Sequence, residues 1–176
     1  MAVNLSGVQL SRPDLDEWVV GTLARHGVAP DRLRLEVTEG ALVHGLESAA
    51  SALARLRTLG VQVYLDDFGT GFSSLAYLSK LPVDVLKVDR SFVACLTSDP
   101  GAPRMVRMIL NLAADLGLGV IAEGVEQQEQ LDLLQAMGCR YAQGFLLGEP
   151  LDEDVAERRR NRAGARKRRR SPVPTG

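Results

Sequence analysis

Six short strand-like stretches, the first five rich in Val, Ile and Leu, recur along this chain, and each is separated from the next by a segment of helical periodicity. The stretches are Val3-Asn4-Leu5-Ser6, Leu33 to Glu39, Val61 to Leu65, Val83 to Asp89, Gly119 to Glu123 and Arg140 to Phe145. Between them, a helix is predicted from Asp14 to Arg25, with Trp18, Val19 and Leu23 on its inner face and Gly27 as its stop. A second runs from Glu47 to Leu59, with Ala49, Leu53 and Leu56 inward and Gly60 beyond. Pro103 opens a third, lined by Val106, Ile109, Leu110 and Ala113 and closed by Gly117. Glu129 to Met137 makes a fourth, and Pro150 starts a last helix that runs into a block of arginines. Strands joined by helical crossovers pair in parallel. The predicted fold class is therefore α/β, a partial TIM-type (β/α) barrel of about six of the usual eight units.

Each predicted strand delivers a polar residue at or near its C-terminal end: Asn4, Glu36, Asp66 with Asp67, Lys87, Glu123 and Gln143. In a (β/α) barrel these positions converge on one mouth, where active sites sit. An open doubly wound sheet is the alternative, but it spreads them along an edge, and no G-x-G-x-x-G turn is present. The third unit is the most distinctive. Its strand ends on Asp66-Asp67, and adjacent strand residues face opposite sides, so a shared centre is easiest where the chain turns. Gly69 and Gly71 then permit a tight loop and close backbone approach to a ligand, and Ser73 or Ser74 is placed to cap the following helix. The bland alternative is an acidic turn with glycines.

Charge divides the chain. Residues 1–157 hold 22 acids and 12 bases, a net −10, whereas residues 158–176 hold nine bases and no acid, a net +9. The first region carries the apolar periodicity and reads as the domain. The second, broken by Ser171-Pro172-Val173-Pro174, reads as a solvated, disordered tail without the interleaved aromatics of a specific nucleic-acid binder. No apolar run approaches the roughly 20 residues of a membrane span. Met1-Ala2-Val3-Asn4 does not open a signal peptide. Cys95 and Cys139 lack metal-type spacing, and a reduced, cytoplasmic setting is the simplest expectation. His26 and His44 read as surface or loop residues, Cys139 and Met137 as packing at a helix end.

Carboxylates, an amide and one lysine at a common mouth suit hard divalent cations, Mg²⁺ or Mn²⁺. Zinc is disfavoured by the few His and unsuitable Cys. Two such cations bridge a water and stabilise both oxygens of a phosphodiester displacement. Asp66 and Asp67 are placed to serve one cation each or to bridge, and Lys87 to orient the water or offset transition-state charge. Lys87 also reads as a structural cation that neutralises clustered acids. The Asp67-Phe68-Gly69 triplet is not a kinase signature here, because the glycine-rich phosphate loop, the V-A-I-K lysine and H-R-D are missing.

The ordered set V-N-L-S, L-E-V-T-E, D-D-F-G-T-G-F-S-S-L, L-K-V-D-R-S-F-V, I-A-E-G-V-E and A-Q-G-F-L-L-G-E-P-L resembles the EAL-domain family of cyclic di-GMP phosphodiesterases over residues 2–151. The resemblance implies a TIM-type barrel that hydrolyses cyclic di-GMP to the linear dinucleotide with Mg²⁺ or Mn²⁺. It implies Asn4, Glu36, Asp66, Asp67 and Glu123 as ligands of the metals or their water, and Lys87 with Glu123 as catalytic. It further implies Gln143 at the site and Glu39 steadying the loop from Asp66 to Ser74. Asp89 and Glu126 match further motif positions. Upstream regulatory domains in a longer protein and a homodimer are the implied partners, besides cyclic di-GMP itself.

The departures are specific. The family's barrel begins with two more βα units, and the second carries the Glu-Ala-Leu glutamate and a substrate-binding arginine. Neither occurs here, and Glu149 stands where an arginine often precedes the proline of the last motif. A TIM barrel takes about 250 residues, well above the 157 before the basic tail. Two functions therefore compete: a truncated metal-dependent phosphodiesterase, weak or inactive as this chain alone, and a degenerate module that binds a nucleotide or a partner without turnover.

Overall fold

The computed structural model describes residues 1–43, 46–71, 78–149 and 151. Six strands form one sheet: β1 (Ala2–Leu5), β2 (Arg34–Thr38), β3 (Gln62–Phe68), β4 (Val85–Val88), β5 (Gly119–Ala122) and β6 (Tyr141–Ala142). They lie in sequence order, and every neighbouring pair is parallel. A parallel sheet wound in one direction is the wall of a (β/α) barrel. Among the described residues this wall is not closed: β1 and β6 are its edges, each paired on one side only.

Strand alternation sorts the side chains. Leu35, Val37, Val63, Leu65, Leu86, Val88 and Ala122 point to the outer, helix-covered face and are completely or almost completely buried. The alternating positions Glu36, Tyr64, Asp66 and Lys87 face the other side. The helices cover the outer face with the predicted stripes. In α4 (Leu46–Thr58), Ala49, Ala52, Leu53 and Leu56 are buried; in α6 (Ala102–Asp115), Val106, Ile109 and Ala113 are. Their spacing of three and four residues puts them on one face. Gly117 ends α6 with φ 69°, a left-handed turn that a side chain would strain. The other α-helices among the described residues are α1 (Gly7–Leu10), α2 (Leu15–Arg25), α3 (Glu39–Val43), α5 (Arg90–Ala94) and α7 (Gln128–Ala136).

Three expectations need correcting. Trp18 is not on the inner face of α2: it is 43% exposed, with the Arg12 guanidinium 5.5 Å from its ring centroid. The buried stripe is Leu15, Val19 and Leu23, at strict four-residue spacing, and Trp18 lies about 100° round the helix from Val19. The strand predicted to end at Leu65 runs on through both aspartates to Phe68. The sixth strand is two residues long rather than six, because the chain beyond Gln143 turns away at Gly144 instead of continuing along the edge. The helix predicted after Asp67, its serine caps, His44, the helix after Pro150 and the basic tail lie outside the described residues.

Candidate metal centre

Four strands deliver one charged group each to a single point. The Lys87 ammonium, at 4% exposure, donates to Glu36 Oε2 at 3.0 Å, Asp66 Oδ1 at 2.9 Å and Glu123 Oε1 at 2.7 Å. Register produces this convergence. Leu65 of β3 pairs with Leu86 of β4, so the next residues, Asp66 and Lys87, stand side by side. Thr38 pairs with Asp66, which puts Glu36 one inward step away on β2. Lys87 pairs with Ile121, placing Glu123 one inward step further along.

Burial alone lowers a lysine pKa, yet Lys87 is held well above its ordinary value because three carboxylates accept its protons. It is an ammonium throughout the neutral range. Glu123 is pushed up, first by burial and then by the charges of Asp66 and Glu36, with Lys87 opposing. Asp67 is pushed up by burial and by the neighbouring charges of Asp66 and Asp89.

Adjacent aspartates share this mouth through a bulge. Three steps of β3, Leu65 to Phe68, oppose two steps of β4, Leu86 to Val88. The extra residue is accommodated at Asp67, whose φ of 55° makes it the only non-glycine with positive φ among the described residues. A bulge re-aims a side chain that simple alternation would send outward. Carboxylate oxygens of Asp66, Asp67 and Glu123 consequently lie within 4.8 Å of one another. An oxygen-only donor set with two acids held above their ordinary pKa fits a hard divalent cation.

The other predicted residues sort around this cluster. Gln143 donates its amide to Glu123 Oε1, the oxygen that Lys87 also binds. Asn4 pairs in register with Glu36 but sits exposed on the edge strand. Asp89 caps α5, accepting from the Ser91 amide at 3.0 Å and from the Ser91 hydroxyl. Burial works against its ionisation, but those hydrogen bonds hold it below its ordinary value. Glu126 is exposed at the entry to α7 and is not brought to the cluster. Both Glu39 carboxylate oxygens are buried with no hydrogen-bond partner among the described residues, and a β-carbon built on Gly71 would lie 2.9 Å from that carboxyl group. Gly69 approaches Phe92 equally closely.

Two contributors escaped sequence reasoning. Gln130, at 4% exposure, accepts from the amides of Glu126 and Gln127 and so fixes the turn after β5. Asp84 accepts from Val63 N at 2.8 Å and from the Arg57 guanidinium, pinning the start of β3. The glutamine three residues into α7 was a legible capping signal. The aspartate was not, since its partners are 21 and 27 residues away.

The profile of the EAL domain matches residues 1–150. The chain belongs to the EAL-domain family. Among its relatives, the cyclic di-GMP phosphodiesterase NbdA of Pseudomonas aeruginosa is 44% identical over 151 residues, which are 86% of this chain and 19% of NbdA. The phosphodiesterase MucR, solved in complex with cyclic di-GMP, superimposes with a TM-score of 0.83 at 41% identity, over 88% of this chain and 63% of that one. The manganese and cyclic di-GMP complex of Klebsiella pneumoniae BlrP1 gives a TM-score of 0.76 at 34% identity, over 82% of this chain and 37% of that one. This EAL chain spans about a fifth to a quarter, 19–24%, of the length of the curated relatives it matches. Among the described residues, no helix is long and apolar enough to cross a membrane.

Proposed function

We propose that this EAL chain carries the metal-binding and lysine portion of a cyclic di-GMP phosphodiesterase site. The observation that carries the reading is the junction of Lys87 with Glu36, Asp66 and Glu123, beside Asp67, at the strand ends of an EAL sheet. Asp66, Asp67 and Glu123 would hold Mg²⁺ or Mn²⁺, with Glu36 and Asn4 completing a two-metal site. When bound, such cations lower the pKa of a coordinated water and stabilise the oxygens of the phosphodiester.

The remaining chemistry belongs to the chain. A lysine already protonated serves as a donor rather than a base, orienting a water or offsetting negative charge on the phosphoryl oxygens. Gln143 and Lys87 both engage Glu123 Oε1, and among the described residues neither takes Oε2, the oxygen that would face a cation. Asp66 Oδ1 accepts from Lys87 and from the Asp67 amide at 3.1 Å, fixing the first carboxylate against the second. Glu39 backs the glycine turn, and Asp89 fixes the first turn of α5. The product is the linear dinucleotide.

The Glu-Ala-Leu glutamate and the arginine beside it have no counterpart in this chain, so its turnover alone is weak or nil. A second reading, an EAL module that binds a nucleotide or a protein without turnover, draws on the open sheet. Among the described residues β1 and β6 are each paired on one side only, and Tyr141, Phe145 and Leu147 are exposed beside the latter. Regulatory domains of a longer, cytoplasmic protein, or a second copy, are the proposed neighbours of that edge. The test is incubation with cyclic di-GMP and Mn²⁺, following the linear product, with Glu36→Ala as control. The expected result is nucleotide and Mn²⁺ binding with little product. Product formation at the rate of a complete EAL domain, abolished by Glu36→Ala, would refute the loss of turnover; no binding of either ligand would refute the site.

A further inference from the structure

The two aspartates share one mouth only because Asp67 keeps a backbone conformation that aspartate adopts at a cost. Within the turn, Thr70 holds that conformation through its amide, 3.3 Å from the Asp67 carbonyl, and its hydroxyl, at 2.9 Å. Thr70 is exposed, and water competes for both bonds. The restraint from outside is steric. Gly69, with φ 99°, lies against the edge of the Phe92 ring: a β-carbon built there would be 2.8 Å from Cε2 and 3.0 Å from Cζ, with Ile109 Cδ1 at 3.8 Å behind. Phe92 is itself partly buried against the core. It stands on α5, five residues after Lys87, on a helix whose first turn is fixed by the Asp89 cap. One short segment thus supplies both the lysine at the centre and the ring under the turn that aims Asp67.

We propose that Phe92 is a positioning residue for the aspartate pair: its ring edge seats Gly69 and stops the turn from relaxing to the extended backbone that would swing the Asp67 carboxylate out of the mouth. The Phe92 ring touches no cation and no substrate in this role. It acts through Gly69 on the sign of φ at Asp67. The proposal rests on the reading of Asp66 and Asp67 as cation ligands, but its backbone half can be measured without any metal.

The experiment compares the full chain with Phe92→Ala, Phe92→Leu and, as control, Val93→Ala, which removes a fully buried side chain of the same helix. Two readouts are taken on each: the Cα and Cβ chemical shifts of Asp67, which report its backbone conformation, and Mn²⁺ affinity from a titration followed by electron paramagnetic resonance. In Phe92→Ala the Asp67 shifts should leave the left-handed pattern and Mn²⁺ affinity should fall about tenfold, the equilibrium equivalent of a released backbone strain of this kind. Phe92→Leu, which keeps bulk under Gly69, should fall between it and the wild type and remains readable if the alanine variant does not fold. Val93→Ala should lower stability and move neither readout. Left-handed shifts at Asp67 in both Phe92 variants, or equal changes in Val93→Ala, would overturn the proposal. A wild type that binds no Mn²⁺ would defeat the ligand reading instead, while the shifts would still decide whether Phe92 holds Asp67.

Discussion

Lys87→Met removes the cation at the point where three carboxylates meet, and its effect can be worked from the geometry. Glu36, Asp66 and Glu123 each lie within 3.0 Å of the lost ammonium, and their side chains are each 14% exposed. Breaking a buried ion pair by removing one partner costs about 3–5 kcal/mol, because the remaining charge stays desolvated. The partial exposure of the acids lets water and protons relieve some of this, so about 2–4 kcal/mol is expected near neutrality. For a chain of this size, that corresponds to a fall in melting temperature of roughly 5–15 °C.

The pH dependence separates this cause from simple loss of packing. Lys87 has a raised folded pKa, so its own contribution is complete below its ordinary value of 10.5 and fades only as pH rises through the raised one. Between about pH 5 and pH 7 it does not titrate, and any change in the gap between variant and wild type comes from the acids. Without the lysine Glu123, already pushed up by burial, takes up a proton more readily, so the gap should narrow towards about pH 5. Mn²⁺ should also close part of the gap by replacing the lost charge. The assay is thermal unfolding followed by circular dichroism at the two pH values, with and without Mn²⁺. A variant as stable as the wild type near neutrality, or a gap indifferent to both pH and Mn²⁺, would refute the electrostatic account.

Two further outcomes follow from other contacts. Asp84→Ala strips the Val63 amide and the Arg57 guanidinium of their acceptor and should cost about 1–3 kcal/mol, read as a lower urea midpoint with an unchanged slope. Glu123 and Asp67 have folded pKa values above their ordinary 4.5 and 3.8, so each binds protons more tightly folded than unfolded, and stability is lost as pH rises from those values through the raised ones. Glu123→Gln should therefore gain on the wild type across that window while binding Mn²⁺ more weakly, as measured by urea unfolding at a series of pH values and by calorimetric titration.

Most of the sheet was legible because its signals are local. Parallel strands buried on one face by helices keep Leu and Val on that face, and polar residues where the strand meets the mouth. Glu36, Lys87 and Glu123 could be placed on a common centre from that pattern alone. Trp18 was misplaced because hydrophobicity is a poor guide at the margin of a helical stripe, where a large ring is also served by an exposed seat under Arg12. The end of β6 was misplaced because an edge strand has one partner instead of two. Composition continues through Phe145, but the hydrogen bonds turn at Gln143 to the loop after β5. Glu126 matched a motif position, yet its exposed place at the entry to α7 sets it apart from the cluster that the other acids form.

The aspartate pair shows where local signals end. Simple alternation sends Asp67 to the outer face with Leu65, while the resemblance to the EAL family makes it a ligand beside Asp66. Both cannot hold in a regular strand. The conflict is resolved by the extra residue in β3 and the left-handed backbone at Asp67, and the glycines that signal it in the sequence lie two and four residues downstream. Those glycines read as a loop for a ligand to approach. In the structure, side chains of the protein approach them: Phe92 at Gly69 and Glu39 at Gly71. A β-carbon at either position would displace one of those two supports, so the absence of side chains in the turn bears first on where the aspartates point. Any room the turn leaves for a ligand depends on that aim being set correctly.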